Sequence, residues 1–432
     1  MTSTVPVTPS SIQARWAMQA ALPAVIAGYP LLEALQTCRR QAMSGKPGHG
    51  RAPFNTIAHS TRQWTHSDRD FNTPTVDLLY SNAWLDLRHG PVVLEIPARS
   101  RYFVVELLDV YTNNFQNLGT RNVPPEGARY ALLGPDAPES PAVAGTIAVR
   151  CPSALVWLLG RVIVDDEADL PAARAMQAGF RLHGAPAPAP FASLAQWQDT
   201  GDAALDFFSN LARAFNDFPP PPSQRAPLEL LTAANIALPS DGVLTELRGA
   251  AIEGLRGAYR EGMALIEGHT HTASKAPWRF STRLGRFGND YMLRAATAWK
   301  GIGALAADEA IYAPADYDQH SELLHGRNAY RIRFEDGGDL PVDAFWSITV
   351  YGDDRFLAGH PLGRHALGSR SGLERDTDGA LTIHVGHRRP ATPGSNWLPA
   401  PDAPFYLILR MYHPQQRLLE GRYKLPPVER VD

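Results

Sequence analysis

Residues 101–121 read RYFVVELLDVYTNNFQNLGTR, and the fold turns on how this stretch is read. Its first half has the composition of a buried β-strand, with Phe103, Val104, Val105, Leu107 and Leu108 in close succession. The run does not fade into an ordinary turn, because Asp109, Tyr111, Thr112, Asn113, Asn114 and Arg121 follow at once. On strand alternation Phe103, Val105, Leu107, Asp109, Tyr111 and Asn113 share one face, and Glu106, Leu108, Val110 and Thr112 the other. Each face therefore carries apolar residues and an acid. A carboxylate in that setting needs a cation, donors or a proton, and Arg121 is its nearest candidate partner in sequence. Two readings stay open: a structural network in which Asn113 and Asn114 tie down loop backbone, and a site in which Asp109 serves as acid, base or ligand.

Outward from this stretch, LRHGPVVLEIP (87–97), ARYALLGP (128–135) and AGTIAVRC (144–151) each read as one strand at a spacing that suits an antiparallel sandwich or barrel. LVWLLGRVIVDD (155–166) is a strand or a buried helical turn, and periodicity does not decide between them. After residue 329 the pattern returns to β in AYRIRF, AFWSITVY, GALTIHVG and PFYLILRMYH, divided by turn-rich segments such as DGGD and DTDG. Ser10-Ser11 opens a helix through roughly Arg40, bent at Pro23 and Pro30. Helical patterns recur over 191–215, 240–268 and 290–305, with GAPAPAP (184–190) and Pro219–Pro222 as stiff linkers. The expected fold is mainly β with helical segments: two β-sandwich, jelly-roll-like domains, an N-terminal helix and a helical middle region. The expected boundaries are 1–60, 61–182, 183–310 and 311–432.

Lys+Arg 41 against Asp+Glu 44 gives a net charge of −3, and no block of like charge suggests a nucleic-acid partner. Pro23 and Pro30, bracketed by Arg15 and Glu33, are wrong for a membrane-spanning helix. The expectation is a cytoplasmic protein, or a periplasmic one if a signal peptide has been removed, acting on a small molecule, with no cofactor and an oligomeric state left open. Cys38 and Cys151 fit no zinc spacing and read as buried thiols. His269 with His271, and His384 with His387, lack a third ligand, so no metal is assigned. Asp353, Asp354, Asp376 and Asp378 are loop carboxylates open to a divalent ion, though DTDG reads first as a plain turn.

The last strands separate two faces. Trp346, Ile348 and Val350 oppose Phe345, Ser347, Thr349, Tyr351 and Asp353; Phe405, Leu407, Leu409 and Met411 oppose Tyr406, Ile408, Arg410 and Tyr412; Leu381, Ile383 and Val385 oppose Thr382 and His384. If the three mixed faces line one concavity, they supply the flat walls and oriented donors of a small-molecule pocket; otherwise they are solvent-facing sheet. YFVVELLDVY and FWSITVYGDD share a shape, which is too little to establish a repeat.

GYPLLEA (28–34), TPTVDLLYSNAWLDL (73–87), GPVVLEIP (90–97), DVYTNNFQNLGTR (109–121), FWSITVYGDD (345–354), NWLPAP (396–401) and PPV (426–428) together resemble the bacterial family built from domain of unknown function 1254 followed by domain of unknown function 1214. The resemblance implies two jelly-roll-type β-sandwiches and little chemistry. Its motif positions fall on Asp77, Tyr80, Asn82, Trp84, Asp109, Tyr111, Asn113, Asn114, Gly119 and Arg121, then on Trp346, Ser347, Thr349, Tyr351, Arg364, Asn396, Trp397, Arg410 and Tyr412. Thr75 and Leu78 depart from the family pattern around the first aspartate. The functional expectation is a hydrolase or lyase for a small or medium neutral organic molecule, in a cleft between or within the β domains. Asp109, Tyr111, Asp77 and Arg121 would be the catalytic groups. Tyr80, Asn82, Asn113, Asn114, Trp346, Ser347, Thr349, Tyr351, Arg364, Asn396, Trp397, Arg410 and Tyr412 would bind substrate. The alternative is a carbohydrate- or lipid-binding protein with no catalysis.

Overall fold

Seventeen strands in four sheets and a set of helices build the described part of the chain, which is mainly β with helical segments. The structure is a computed structural model that describes residues 9–45, 50–69, 72–138, 143–185, 189–244, 247, 249–272, 275, 278–391 and 395–431.

The first β unit pairs two sheets. One has the strand order Ala58–His59, Leu78–Asp86, Leu155–Ile163, Phe103–Asp109, Asn114–Gly119, all antiparallel. The other runs Ile147–Arg150, Ala128–Leu133, Val92–Ile96, Arg181–His183. Leu79, Leu85, Leu94, Phe103, Val105, Leu107 and Leu158 fill the core between them. The ambiguous LVWLLGRVIVDD run is thus the central strand of its sheet. Periodicity hides it because both faces are covered: every residue of Leu78–Asp86 and of Leu155–Ile163 is buried. The second face carries Trp84 and Trp157, which sit opposite each other in register and stack with ring centroids 5.1 Å apart. Helix Pro9–Ala42 covers them, adding Ala21, Leu31 and Leu35 to the same core.

That helix runs from Pro9 to Ala42 with Pro23 and Pro30 inside it, matching the single helix expected there. By length and composition Ser10–Ala42 is apolar enough to cross a membrane, but 56% of its most apolar 18-residue stretch is buried inside the fold, and the helix packs against Ala226–Ala233, Ala250–Thr272 and Tyr291–Gly301. A Cβ on Gly254 would meet Ala17 at 2.4 Å, so glycine there permits the close approach of two helices. The 191–215 pattern is two helices, Ala192–Ala195 and Ala203–Asp217, divided at Gly201, whose φ is +95°. Asp202 caps the second of these by accepting a bond from Leu205 N. Within the 240–268 pattern the described helix is Ala250–Thr272. Residues 186–188 of the first proline-rich segment lie outside the described residues.

The second β unit also pairs two sheets, ordered Ala310–Ala315, Phe405–Pro414, Val342–Gly352, Ala366–Gly368 and Asn396–Pro399, Leu381–Gly386, Ala329–Phe334, Glu429–Val431. Trp346, Ile348, Val350, Leu381, Ile383, Leu407, Leu409 and Met411 form its core, as strand alternation requires. Ala310–Ala315 contains Pro314, which is tolerated because the strand lies at the sheet edge. The two units meet where the outer face of the five-stranded sheet turns toward that of the sheet containing Phe405–Pro414. Leu78, Val104 and Ile163 of the first unit pack there on Leu305, Ala310, Phe345 and Tyr412.

Candidate functional site

The polar strand end at 109–121 is a structural network. Asn113 N donates to Asp109 Oδ1 at 2.9 Å and Asn113 Nδ2 to Asp109 Oδ2 at 2.8 Å. The enclosed turn places Thr112 at φ +67°, an uncommon region for a β-branched residue and one held only by its surroundings. Burial raises the Asp109 pKa, and the Asn113 bonds oppose that rise. Tyr111 Oη donates to Phe218 O at 2.7 Å. Asn114 donates to Leu107 O, Gln116 O and Asn117 Oδ1 and accepts from Ala306 N at 2.8 Å. NFQNLG, too polar to read as β, is the next strand, with a register shift between Leu107 and Leu108.

Arg121 does not reach Asp109. It pairs with Asp308 at 3.3 Å and with the buried Glu309 at 3.1 Å. Glu309 Oε1 also accepts from Tyr102 Oη at 2.8 Å and lies 3.0 Å from His413 Nε2, so this node fastens one β unit to the other. The buried Glu106 takes Arg161 as its partner at 2.6 Å.

Asp77 belongs to the junction. Its Oδ2 accepts from Thr75 Oγ1 at 2.6 Å and from Ser347 Oγ, on the other β unit, at 2.5 Å. Asp77 and Asp109 flank opposite ends of strand Leu155–Ile163: Asp109 stands opposite Val156 and Asp77 O accepts from Val164 N. At ~3.3 Å per residue the separation is about 26 Å, so the structure does not bring the two expected catalytic acids together.

It does bring together the two best strand faces. Phe345, Ser347, Thr349 and Tyr351 lie beside Tyr406, Ile408, Arg410 and Tyr412 on the junction side of one sheet; Phe345 stacks on Tyr412 at 4.2 Å and Tyr351 on Tyr406 at 5.4 Å. The third face does not join them. Thr382 and His384 belong to the other sheet, where Thr382 bonds Asp376.

Between this face and the first unit is a cavity of about 300 Å³. Tyr80 and Arg161 wall one side; Tyr312, Ile408, Arg410 and Tyr412 wall another. Helix Tyr291–Gly301 contributes Leu293, Ala296, Thr297 and Lys300, and the preceding segment contributes Arg279 and Leu284. Arg410 is buried, donating to Thr349 Oγ1 at 3.3 Å and Thr73 O at 2.7 Å. Arg161 also donates to Gly303 O at 2.7 Å. Lys300 lies 3.8 Å from Asp316, which also pairs with Arg279; burial lowers the Lys300 pKa and Asp316 partly restores it. Burial pushes the Tyr312 phenol up to about 12 and Tyr412 well above its ordinary value.

Of the remaining expected residues, Tyr80 also walls a second cavity of about 240 Å³ with Asn82, sharing Ile302 with the first. Asn82 is itself engaged by Gln41, Gly50 and Trp157. Tyr351 Oη donates to Pro74 O at 2.7 Å. Trp346 and Trp397 donate to backbone carbonyls inside their own unit, Arg364 donates to Trp397 O, and Asn396 ties Glu374 to Thr382; none of the four lines the cavity. Arg161, Lys300, Arg279 and Tyr312 were missed. Arg161 left a signal, a lone cation inside an apolar run, and Lys300 stands likewise in AATAWKGIGAL. Among the described residues no group of three or more His, Cys, Asp or Glu is arranged to hold a metal. Asp376 and Asp378 pair with Arg333, and Asp354 with Arg69; the His271 side chain lies outside the described residues.

Residues 54–184 match the family described as protein of unknown function DUF1254, and residues 309–416 the one described as protein of unknown function DUF1214. No curated protein matches the chain. Among solved structures, the VPA0106 protein from Vibrio parahaemolyticus is similar over 96% of this chain and 100% of its own, with 22% identity and a TM-score of 0.70. An uncharacterised protein from Burkholderia cenocepacia aligns with 93% of this chain and 87% of its own, at 12% identity and a TM-score of 0.48. The order of the two matched domains, together with the two β units that contain them, places this chain in the family that joins a DUF1254 domain to a following DUF1214 domain.

Proposed function

We propose that this protein binds a small organic molecule in the cavity between its two β units. The observation that carries the reading is the composition of that cavity: apolar walls from Leu284, Leu293, Ala296, Ile302 and Ile408, with a few buried cations and phenols aimed inward. This is the makeup of a ligand site. The test is thermal shift and calorimetry of the full chain against a panel of small organic molecules, neutral and charged, with Thr297→Trp to fill the cavity. Binding by the parent chain that Thr297→Trp abolishes is the expected result. Equal binding by both proteins overturns the reading.

A second reading, hydrolysis or elimination without a redox cofactor, is favoured by Lys300. A desolvated amine facing a cavity is poised to accept a proton, while Arg410 and Arg161 stand where negative charge would develop and Tyr312 or Tyr412 can donate. A mechanism built on the aspartate pair is not favoured, since paired-carboxylate glycoside chemistry needs the two groups within roughly 5–10 Å. Turnover of ester or lactone panels that falls at least ~100-fold in Lys300→Met with binding retained supports this reading; unchanged turnover removes Lys300 from it.

A further inference from the structure

The cations that line the interdomain cavity differ in how they are compensated. Four cations line it: Arg161, Arg279, Lys300 and Arg410. Glu106 answers Arg161 at 2.6 Å, and Asp316 is shared by Arg279 and Lys300. Among the described residues Arg410 has no carboxylate in contact. Its partners are a threonine hydroxyl, the Thr73 carbonyl and the rings of Tyr351 and Tyr312, 5.5 and 5.8 Å from its guanidinium carbon. Its exposure is 3%. Asp77 is held by Thr75 and Ser347 and forms no ion pair with Arg410 among the described residues.

Burying a guanidinium without an anion is expensive, and the phenol rings around Arg410 offset only part of that cost. A guest can supply the rest. We infer that the ligand of this cavity is a small organic monoanion, an apolar-bodied carboxylate whose head group lies on Arg410. Its body rests against Leu284, Leu293, Ile302 and Ile408. Guanidinium recognises carboxylate through paired hydrogen bonds, and Tyr412 Oη, which has no hydrogen-bond partner among the described residues, is placed on the same wall to donate a further one. At ~30 Å³ per water, 300 Å³ holds about ten waters, so a body of roughly ten non-hydrogen atoms fits. The inference rests on the reading of this cavity as the ligand site.

The test is calorimetry of the full chain with hexanoate, octanoate and 3-phenylpropanoate, each beside its neutral amide and alcohol. Carboxylates are expected to bind at least ~10-fold more tightly than their neutral partners, and Arg410→Met to remove that preference while the neutral compounds still bind. Arg410→Lys, which keeps the charge and loses the fork, is expected to keep a preference for carboxylate at lower affinity; it serves also if Arg410→Met does not fold. Equal binding of acid and amide by the parent chain overturns the anion inference and leaves the cavity reading standing. Carboxylate preference that survives Arg410→Met overturns the assignment of Arg410, and failure of every compound to bind overturns both.

Discussion

Two segments of this chain carry the same kind of polar decoration on buried strands, and the fold uses them differently. At the end of Phe103–Asp109, each polar group finds a partner nearby in sequence or in an adjoining loop: Asp109 takes Asn113, and Asn114 takes Asn117 and Ala306. On Phe405–Pro414, Arg410 also reaches a loop, donating to Thr73 O, but it lines open space at the same time. Tyr406, Ile408, Arg410 and Tyr412 face the other β unit, and three of them wall a cavity. A buried polar residue on a strand points to a site only when its surroundings leave it facing space.

The sharpest way to break this contrast is at the cation that belongs to both sides of it. Arg161 lines the cavity but is neutralised within its own sheet by Glu106, its diagonal neighbour across the strand pair. Glu106→Leu leaves the guanidinium buried and uncompensated, and a loss of ~3–5 kcal/mol is expected by urea denaturation. A loss below ~1 kcal/mol would mean the pair is not formed. Asp109→Asn probes the structural segment alone. It weakens the bonds from Asn113, so stability should fall by about 1–3 kcal/mol while ligand affinity stays within twofold; a larger drop in affinity would return Asp109 to the site.

The smallest expected effect is a pH dependence confined to one corner of the second unit. His365 is buried, bonded to Ala358 O at 2.9 Å, and lies near His66. Burial lowers its pKa below the ordinary 6.5, partly countered by the Ala358 bond. A folded pKa below the unfolded one means that stability is complete above about 6.5 and declines as the pH falls through the folded value. His365→Gln should flatten the denaturation midpoint between pH 7 and 5; an unchanged slope assigns it to other groups.

Strand alternation made the second unit legible. FWSITVY and FYLILRMY sort cleanly into core and junction faces because the two sides differ in polarity, and the structure keeps that sorting. Alternation failed in the first unit for a physical reason. Leu78–Asp86 and Leu155–Ile163 are covered on both sides, so Trp84 and Trp157 look no different from residues of the sandwich core. The short strands Asn114–Gly119 and Ala310–Ala315 escaped notice because one is polar and the other holds a proline at a sheet edge. Within the candidate site, Tyr80, Arg410 and Tyr412 were legible, as residues on a polar strand face or in a family motif. Arg161, Arg279 and Lys300 were not, because their positions around the cavity follow from packing between segments far apart in sequence. The pairing of Asp109 with Arg121 failed for the same reason, since proximity in sequence said nothing of Glu309 arriving from the other β unit.

The most direct measurement is a crystal structure of the full chain soaked with 8-bromooctanoate, read by anomalous scattering. The expected result is a bromine peak among Leu284, Leu293, Ile302 and Ile408 with the carboxylate in hydrogen-bond reach of Arg410. A peak that lies elsewhere while the interdomain cavity shows no bound molecule contradicts the account.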